Sequence, residues 1–367
     1  MPPYKYPVDG IAVDADRLRT WTEAVLRRIG TPPDIAMDVA EVLVASDLRG
    51  IASHGTGRLP VYVSLVEGGV MDPSARPEII RSTPALALWD GRNGWGHHAG
   101  RVLMDDAIAR ATVQGVAISS VRHANHYGIA GWYAMRAAAR GLIGLSMTNT
   151  SPLVAPTRGR TRLLGTNPIA FAAPAGRFGM LVLDMATSSI TWGRLLVAAR
   201  RGDDIPEGVA IDAEGQPTTS PAAALAGGAL LPVGGAEATA GYKGYGLALL
   251  VDVLTGVLAA ANFGSRVVPF SRTEGPSNLG QLFIAIDPAG VEDGFEARLE
   301  TLLDELVNAP LAPDAVGPVL IPGQPEAQRE AEQRRSGIVL DPAHLASLTK
   351  LGTNIGSAFP QPTGGSP

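Results

Sequence analysis

From residue 14 to residue 70, apolar residues recur at helical spacing. Leu18, Trp21, Ala24, Val25 and Ile29 follow Asp14, and Ala36, Val39, Leu43 and Val44 follow Asp34. Each carboxylate is placed to accept the unpaired N–H groups of a first helical turn. Gly30 and Gly50 supply stops, and a third helix through Arg58, Val61 and Leu65 ends at Gly68 and Gly69. From residue 77 the pattern changes to short β-rich runs at 78–81, 85–89, 115–121 and 143–147, divided by alanine-rich helical stretches, with later runs at 169–173, 180–183 and 282–286. This predicts an α/β (α+β) core. Residues 243–261 have the length and apolar density of a central helix, and 293–308 and 326–350 return to helical composition. The C-terminal segment is therefore expected to fold back, so that 1–75 and 310–353 form a helical lobe and 76–309 the sheet-bearing domain. Residues 354–367, rich in Gly, Pro and Ser, are expected to be a flexible tail.

A chain of 367 residues exceeds one ordinary core, and 46% hydrophobic against 18% charged residues marks a compact protein rather than a disordered one. Its 30 basic residues are outnumbered by 35 acidic ones, which argues against a nucleic-acid partner. With no cysteine, disulfides, thiolate nucleophiles and Cys-ligated zinc are excluded. The opening MPPYKYPVDG lacks an apolar signal core, which makes the cytoplasm the expected compartment. The most membrane-like stretch, 246–263, carries Asp252, Gly256 and Asn262, so a buried helix fits it better and no membrane partner is expected.

Two histidines stand where proton-handling groups belong. His54, in Ser53-His54-Gly55, and His126, in Asn125-His126-Tyr127-Gly128, each lie among glycines and hydrogen-bonding residues beside a helical pattern. Arg58 follows His54 by four residues, so a helix through both would put a carboxylate clamp and a proton carrier on one face. Either histidine could equally be a hydrogen-bonded turn residue. Gly94-Trp95-Gly96-His97-His98-Ala99 superficially matches a dinucleotide turn, but Trp95 and the histidines crowd it and no acidic residue follows the next strand. His97 and His98 are adjacent and point to different sides, so no metal site is expected. No Gly-x-Ser-x-Gly nucleophile elbow is present.

The polar strand ends speak as a set. Thr148-Asn149-Thr150-Ser151, Gly165-Thr166-Asn167-Pro168 and Asp184-Met185-Ala186-Thr187-Ser188 all border apolar runs and can surround a ligand with hydrogen bonds, against the alternative of turn capping. Asp184 could orient a histidine, bind a ribose hydroxyl or cap the next turn. Lys243 and Gly244 open the apolar helix, where free N–H groups suit phosphate or carboxylate. Arg158, Arg160 and Arg162 could meet a phosphate or only solvent.

Taken in order, Asp47-Leu48-Arg49-Gly50, Ser53-His54-Gly55, Arg58, Asn125-His126-Tyr127-Gly128, Gly165-Thr166-Asn167-Pro168, Asp184-Met185-Ala186-Thr187-Ser188, Lys243-Gly244-Tyr245-Gly246 and Ile321-Pro322-Gly323 resemble the type-2 malate/L-lactate dehydrogenase family over nearly the whole chain. That family includes ureidoglycolate and sulfolactate dehydrogenases, diketogulonate reductase and piperideine-2-carboxylate reductase. The resemblance implies an NAD- or NADP-dependent oxidoreductase with a non-Rossmann, mixed-sheet cofactor domain. It also implies a homodimer with the active site near the subunit interface. It further implies catalytic roles for His54, His126 and Asp184, and substrate binding by Arg58. Cofactor binding falls on Thr150, on Asp184, Met185, Ala186, Thr187 and Ser188, on Lys243 and Gly244, and on Pro322 and Gly323. Three positions depart from the family pattern: Ser220 replaces an acidic residue, Arg194 a lysine and Gln281 a histidine. None of these removes a proposed catalytic group.

The implied chemistry moves a hydride between nicotinamide and a small 2-hydroxy acid or 2-oxo acid, with Arg58 on the carboxylate and His54 or His126 on the proton. Reduction of a cyclic imine carboxylate on the same scaffold is the alternative. A non-catalytic nicotinamide-binding scaffold is a rival of another class.

Overall fold

The computed structural model describes residues 10–269 and 275–361. Along the N-terminal part run β1 (Ile11–Val13), α1 (Ala15–Arg28), α2 (Pro33–Leu48), α3 (Leu59–Glu67), β2 (Glu78–Ser82) and β3 (Leu86–Asp90). The middle contains α4 (Gly96–Gln114), β4 (Val116–Ala124), α5 (Gly131–Ala138), β5 (Ile143–Thr148), β6 (Ile169–Pro174), β7 (Met180–Met185) and α6 (Trp192–Arg201). A small annex follows, β8 (Ala210–Ile211), α7 (Pro221–Leu225) and β9 (Ala229–Leu230), before α8 (Gly241–Asp252) and β10 (Leu279–Ile286). The chain closes with α9 (Phe295–Val307), α10 (Gln324–Ser336), β11 (Ile338–Leu340) and α11 (Pro342–Asn354).

The central sheet has seven strands in the order β2-β3-β4-β10-β5-β6-β7, and its neighbours are antiparallel except for β3 and β4. Because β4 and β5 both run against β10 between them, their C-terminal ends share one edge of the sheet. Strand β7, two reversals beyond β5, ends there too. The loops after Ala124, Thr148 and Met185 therefore converge, and these carry His126, Thr150, Ala186, Thr187 and Ser188.

Side chains alternate across β10, as a pleated strand requires. Phe283 and Ala285 join Leu103, Met104, Ala107, Tyr133 and Ala134 under α4 and α5, while Leu282 meets Val251 of α8 and Met147 on the other face. The alanines allow helices to approach the strands closely. A second core joins α1, α2 and α3 to the C-terminal segment: Leu18, Leu43 and Tyr62 share it with Ile338, Leu340, Leu348 and Leu351. Strand β1 pairs antiparallel with β11, tying both ends of the chain together.

Several elements differ from the sequence expectation. Helix α2 starts at Pro33 with Pro32 as its cap, since proline lacks the N–H that a first turn leaves unpaired; Asp34 forms a two-pronged ion pair with Arg76 at 2.7 and 2.9 Å. The helix expected over 326–350 breaks at Gly337, at φ 92°, where the chain turns to form β11. Helix α8 and the turns that carry it on to Leu258 are only partly buried: Ala248, Val251 and Asp252 are covered, while Leu247, Leu249, Leu250, Val253, Val257 and Leu258 are exposed. Among the described residues no helix is long and apolar enough to cross a membrane. Part of the expected loose tail is seated on α1, where Trp21 Nε1 donates to Ser357 O at 3.0 Å and the Phe359 ring meets Trp21 edge-on. Residues 1–9, read above for a signal core, and 362–367 of the tail lie outside the described residues.

Candidate active site

The segment after α2 is a pair of tight turns, Ala52–His54 and Thr56–Arg58, rather than the start of α3. Gly55 separates them because it lies against the Asp47 carboxylate, where a Cβ would clash. His54 and Arg58 therefore do not share a helical face. They are joined through Ser53, whose hydroxyl lies 2.9 Å from His54 Nδ1 and whose carbonyl accepts Arg58 Nε–H at 2.6 Å. The turns are anchored from below. Asp47 accepts Thr56 N–H at 2.9 Å and the Thr56 hydroxyl at 2.6 Å, and His344 of α11 lies 3.2 Å from that hydroxyl.

His126 follows β4 and faces this loop, its ring stacked on His54 with centroids 5.4 Å apart. Tyr62 of α3 brings its hydroxyl to 2.7 Å from His126 Nδ1, and the Gly128 N–H approaches the same nitrogen at 3.4 Å. Both imidazoles are half-buried. Loss of water, and then the Arg58 charge, pulls His54 down to about 4. Burial, with the charges of His54, Arg58 and His97, holds His126 well below its usual value. Both rings are thus neutral near pH 7, and Arg58 bears electrostatically on each of them and on Tyr62.

Beside this cluster lies a cleft of about 140 Å³ lined by Arg49, Ile129, Gly131, Asp184, Pro322, Gly323 and Glu326, among others. Asp184 Oδ2 accepts the Gly131 N–H at the start of α5 at 2.7 Å. Asp184 is exposed as a residue, yet protein packed around its carboxyl raises it to about 6, against the opposing pull of Gly131 N–H and Arg49. The Pro322 carbonyl accepts Val182 N–H at 3.1 Å, laying the Pro322–Gly323 turn along the free edge of β7.

The strand ends bond to one another. Thr150 Oγ1 accepts Thr166 N–H at 2.9 Å, Asn167 Oδ1 accepts Thr150 N–H at 3.0 Å, and the Thr187 hydroxyl donates to Thr166 O and Asn167 O at 3.1 Å. Ser188 turns its hydroxyl to Ile190 O at 2.7 Å. Met185 and Ala186 carry the chain from Asp184 into this cluster, both half-buried. Lys243 stands exposed in the first turn of α8, while Gly244 packs on Val233. That helix joins the strand-end cluster through Asn167 Nδ2, which donates to Ala248 O at 2.9 Å.

Other candidates are occupied structurally. The first turn of α4 is packed against the Asn125 and His126 carbonyls, leaving no room there for a phosphate. His98 binds Asp38 at 2.6 Å and His97 turns instead toward Tyr62. Arg158 pairs with Glu237, and Arg162 binds the Ala224 and Gly228 carbonyls and covers the Trp192 ring. Ser220 caps α7, and Gln281 Nε2 donates to Asn125 O at 2.8 Å, bracing the loop of His126.

Sequence reasoning missed Tyr62, Gly131 and Glu326, weighed His97 only as a metal ligand or part of a dinucleotide turn, and gave Arg49 no role. The one available signal was the spacing of Tyr62, a further four residues beyond Arg58. As an apolar-patterned helix residue it passes for core.

Residues 13–349 match the family model described as malate/L-lactate dehydrogenase. The chain is 43% identical to a malate dehydrogenase of Pyrococcus abyssi over 83% of its length and 84% of that protein. It is 32% identical to a Delta(1)-pyrroline-2-carboxylate/Delta(1)-piperideine-2-carboxylate reductase of Pseudomonas putida, covering 93% of this chain and 97% of that one. The solved sulfolactate dehydrogenase from Methanocaldococcus jannaschii superposes with a TM-score of 0.88 at 36% identity, over 95% of this chain and 98% of that one.

Proposed function

The chain belongs to the malate/L-lactate dehydrogenase family, and from that premise we propose that it interconverts a small 2-hydroxy acid and its 2-oxo acid with NAD or NADP. The observation that carries the reading is the stacked His54–His126 pair with Arg58 bearing on both. Arg58 holds the substrate carboxylate through charge-assisted hydrogen bonds. A neutral imidazole takes the hydroxyl proton in oxidation, and the same ring, once protonated, returns it in carbonyl reduction. His126 is our choice for that ring, because Tyr62 and Gly128 hold it in place through Nδ1 and Arg58 bears on it; His54, tied at Nδ1 to Ser53, lies against it.

The cleft beside Asp184 fits a nicotinamide nucleotide. Glycines let its walls pack closely: a Cβ on Gly131 would come 2.9 Å from Asp184 Oδ2, and one on Gly323 2.7 Å from Val182 Cβ. Bound there, the nicotinamide gives or takes the hydride. Asp184, Gly131, Pro322 and Gly323 would hold it, with Thr150, Met185, Ala186, Thr187 and Ser188 along the strand ends and Lys243 and Gly244 at α8. We read residues 76–309 as a non-Rossmann cofactor domain and 1–75 with 310–353 as a helical lobe. The single parallel strand pair and the filled first turn of α4 support the first, and the shared core of α1, α2, α3, β11 and α11 the second.

A homodimer completes the proposal, with the active site near its interface. The exposed apolar residues of α8 and its continuation, Leu247, Leu250, Val253, Val257 and Leu258, support it, because such a stripe is costly to leave in water and runs on from the helix that Lys243 opens.

Nicotinamide absorbance, followed with NADH and NADPH separately against pyruvate, oxaloacetate, other 2-oxo acids and piperideine-2-carboxylate, tests the reading. Turnover of at least one 2-oxo acid with higher kcat/KM than the imine is expected. The reverse order would favour imine reduction, the reading suggested by the pseudomonad relative. Cofactor binding without any turnover would make the protein a nicotinamide-binding scaffold.

A further inference from the structure

Arg49 is a buried cation with most of its hydrogen-bonding capacity unspent. The residue is 6% exposed and ends α2, where its own N–H bonds to Ala45 O at 3.1 Å and the neighbouring Leu48 carbonyl accepts Gln333 Nε2 at 2.8 Å. A guanidinium carries five N–H donors. Among the described residues this one makes a single hydrogen bond, Nη1 to Glu330 Oε2 at 3.1 Å, and it lines the cleft beside Asp184. Glu330 is itself held from its other oxygen by Arg334 Nη2 at 2.6 Å, so the guanidinium is fixed in place before any ligand arrives. Its remaining donors form a subsite for an acceptor atom, since a buried donor left unmatched is costly.

The rest of the cleft says which acceptor. Ile51, Ile129, Met135 and Val182 give it apolar walls suited to a flat ring. Ile51 leads into the turn of His54 and Ile129 lies between His126 and α5, so the cleft adjoins the segments that carry both histidines. Its polar groups are of mixed sign: Asp184 and Glu326 line it together with Arg49, and Arg49 and Glu326 bear on the Asp184 carboxyl in opposite directions. A phosphate would meet two carboxylates there and one guanidinium already paired with Glu330. A primary carboxamide is the complementary group, because its oxygen accepts, its nitrogen donates two hydrogens and it carries no charge.

We infer that Arg49 is a cofactor-binding residue that donates to the carboxamide oxygen of the nicotinamide, while Asp184 accepts from the carboxamide nitrogen. The inference rests on the reading of this cleft as the nicotinamide site. Exchanging the two ends of the carboxamide would set donor against donor at Arg49 and acceptor against acceptor at Asp184, so the pair orients the ring as well as holding it.

The test is binding by titration calorimetry, without turnover, to the parent protein and to Arg49→Leu, each checked for folding by Tm. Three ligands are compared: the tighter-binding of NADH and NADPH; its acetylpyridine analogue, in which a methyl group replaces the carboxamide nitrogen; and the matching ADP-ribose or its 2′-phosphate, which lacks the nicotinamide. Arg49→Leu is expected to weaken the cofactor by about ten- to hundredfold, the range of a lost hydrogen bond to a charged group. It should weaken the acetyl analogue by the same factor, since that keeps the oxygen, and leave the ADP-ribose Kd within about twofold. The parent should bind the acetyl analogue about tenfold more weakly than the cofactor, because Asp184 then has no N–H to accept. Arg49→Met replaces Arg49→Leu should the latter fail to fold. An equal loss for cofactor and ADP-ribose would put Arg49 on the phosphates or make it only a support of the fold, and would overturn the inference. So would an acetyl analogue that the parent binds as tightly as the cofactor. If the parent binds the cofactor and Arg49→Leu binds it equally well, the inference alone fails. If the parent binds neither NADH nor NADPH, the nicotinamide reading fails and takes the inference with it.

Discussion

Arg58 cannot be replaced by a neutral residue without leaving the substrate carboxylate unpaired. We expect Arg58→Ala to raise KM by about ten- to hundredfold, the equivalent of one charge-assisted bidentate contact, with a smaller effect on kcat. Steady-state kinetics with the best 2-oxo acid checks the split. Asp184 supplies a second prediction, because the protein packed around its carboxyl lifts it to about 6 although the residue is exposed. Ionisation as pH rises through that value places a negative charge beside the cationic nicotinamide of NAD⁺ or NADP⁺. Affinity for the oxidised cofactor should therefore strengthen from pH 5 to pH 7, and Asp184→Asn should flatten the profile in titration calorimetry. Some of this site was legible from residues alone, because histidine, arginine and glycine in close spacing signal chemistry wherever they fall. Tyr62 and His97 were not. Both are buried, and only the approach of α3 to α4 shows that they touch His126.

At the scale of elements, the turns carrying His54 and Arg58 depend on the C-terminal segment. Gln333 of α10 donates to Asp47 O and Leu48 O at 2.8 Å, accepts Val339 N–H at 3.0 Å, and is itself buried. Replacing it by leucine strands three backbone groups, and an unmade buried hydrogen bond costs about 1–3 kcal/mol. Gln333→Leu should lower stability by about 2–4 kcal/mol by that principle, read as a drop in the denaturation midpoint. It should also impair catalysis, since the displaced carbonyls end the helix leading to Arg49 and His54. The seven strands of the central sheet were readable to within a residue or two at most ends, because each apolar run is bounded by polar or glycine residues, whereas β1, β8, β9 and β11 were not read. The C-terminal helix pair was not. Its break at Gly337 serves the pairing of β11 with β1, a contact more than three hundred positions away in sequence. The start of α3 was misjudged for a similar reason: the crowding of Gly55 by Asp47 forces two separate turns, and no local pattern reports it.

For the whole molecule, the exposed apolar stripe of α8 and its continuation predicts association. Leu250→Glu with Val257→Glu should shift sedimentation from dimer to monomer and lower activity with it; a dimer that survives the two charges would place the interface elsewhere. The buried imidazoles also couple stability to pH. His54 falls from 6.5 in the unfolded chain to about 4 when folded, so below pH 6.5 the unfolded state binds more protons. The stability that a neutral His54 brings is complete above that pH and is lost as pH falls toward 4. Tm should decline across this window, and less steeply in His54→Phe. The seven-stranded sheet, the returning C-terminus and the converging strand ends follow from periodicity and from the polar residues at strand tips. The partial burial of α8 does not, because a helix apolar all round reads the same whether it faces a core or a second subunit.

The account stands on proton transfer at the His54–His126 pair. Turnover of the preferred 2-oxo acid in the parent protein, His54→Ala and His126→Ala, measured by nicotinamide absorbance at saturating cofactor, tests it most directly. We predict that kcat in His126→Ala falls by about a hundredfold or more, the scale of a lost general acid–base. Unchanged kcat in both histidine variants would contradict it.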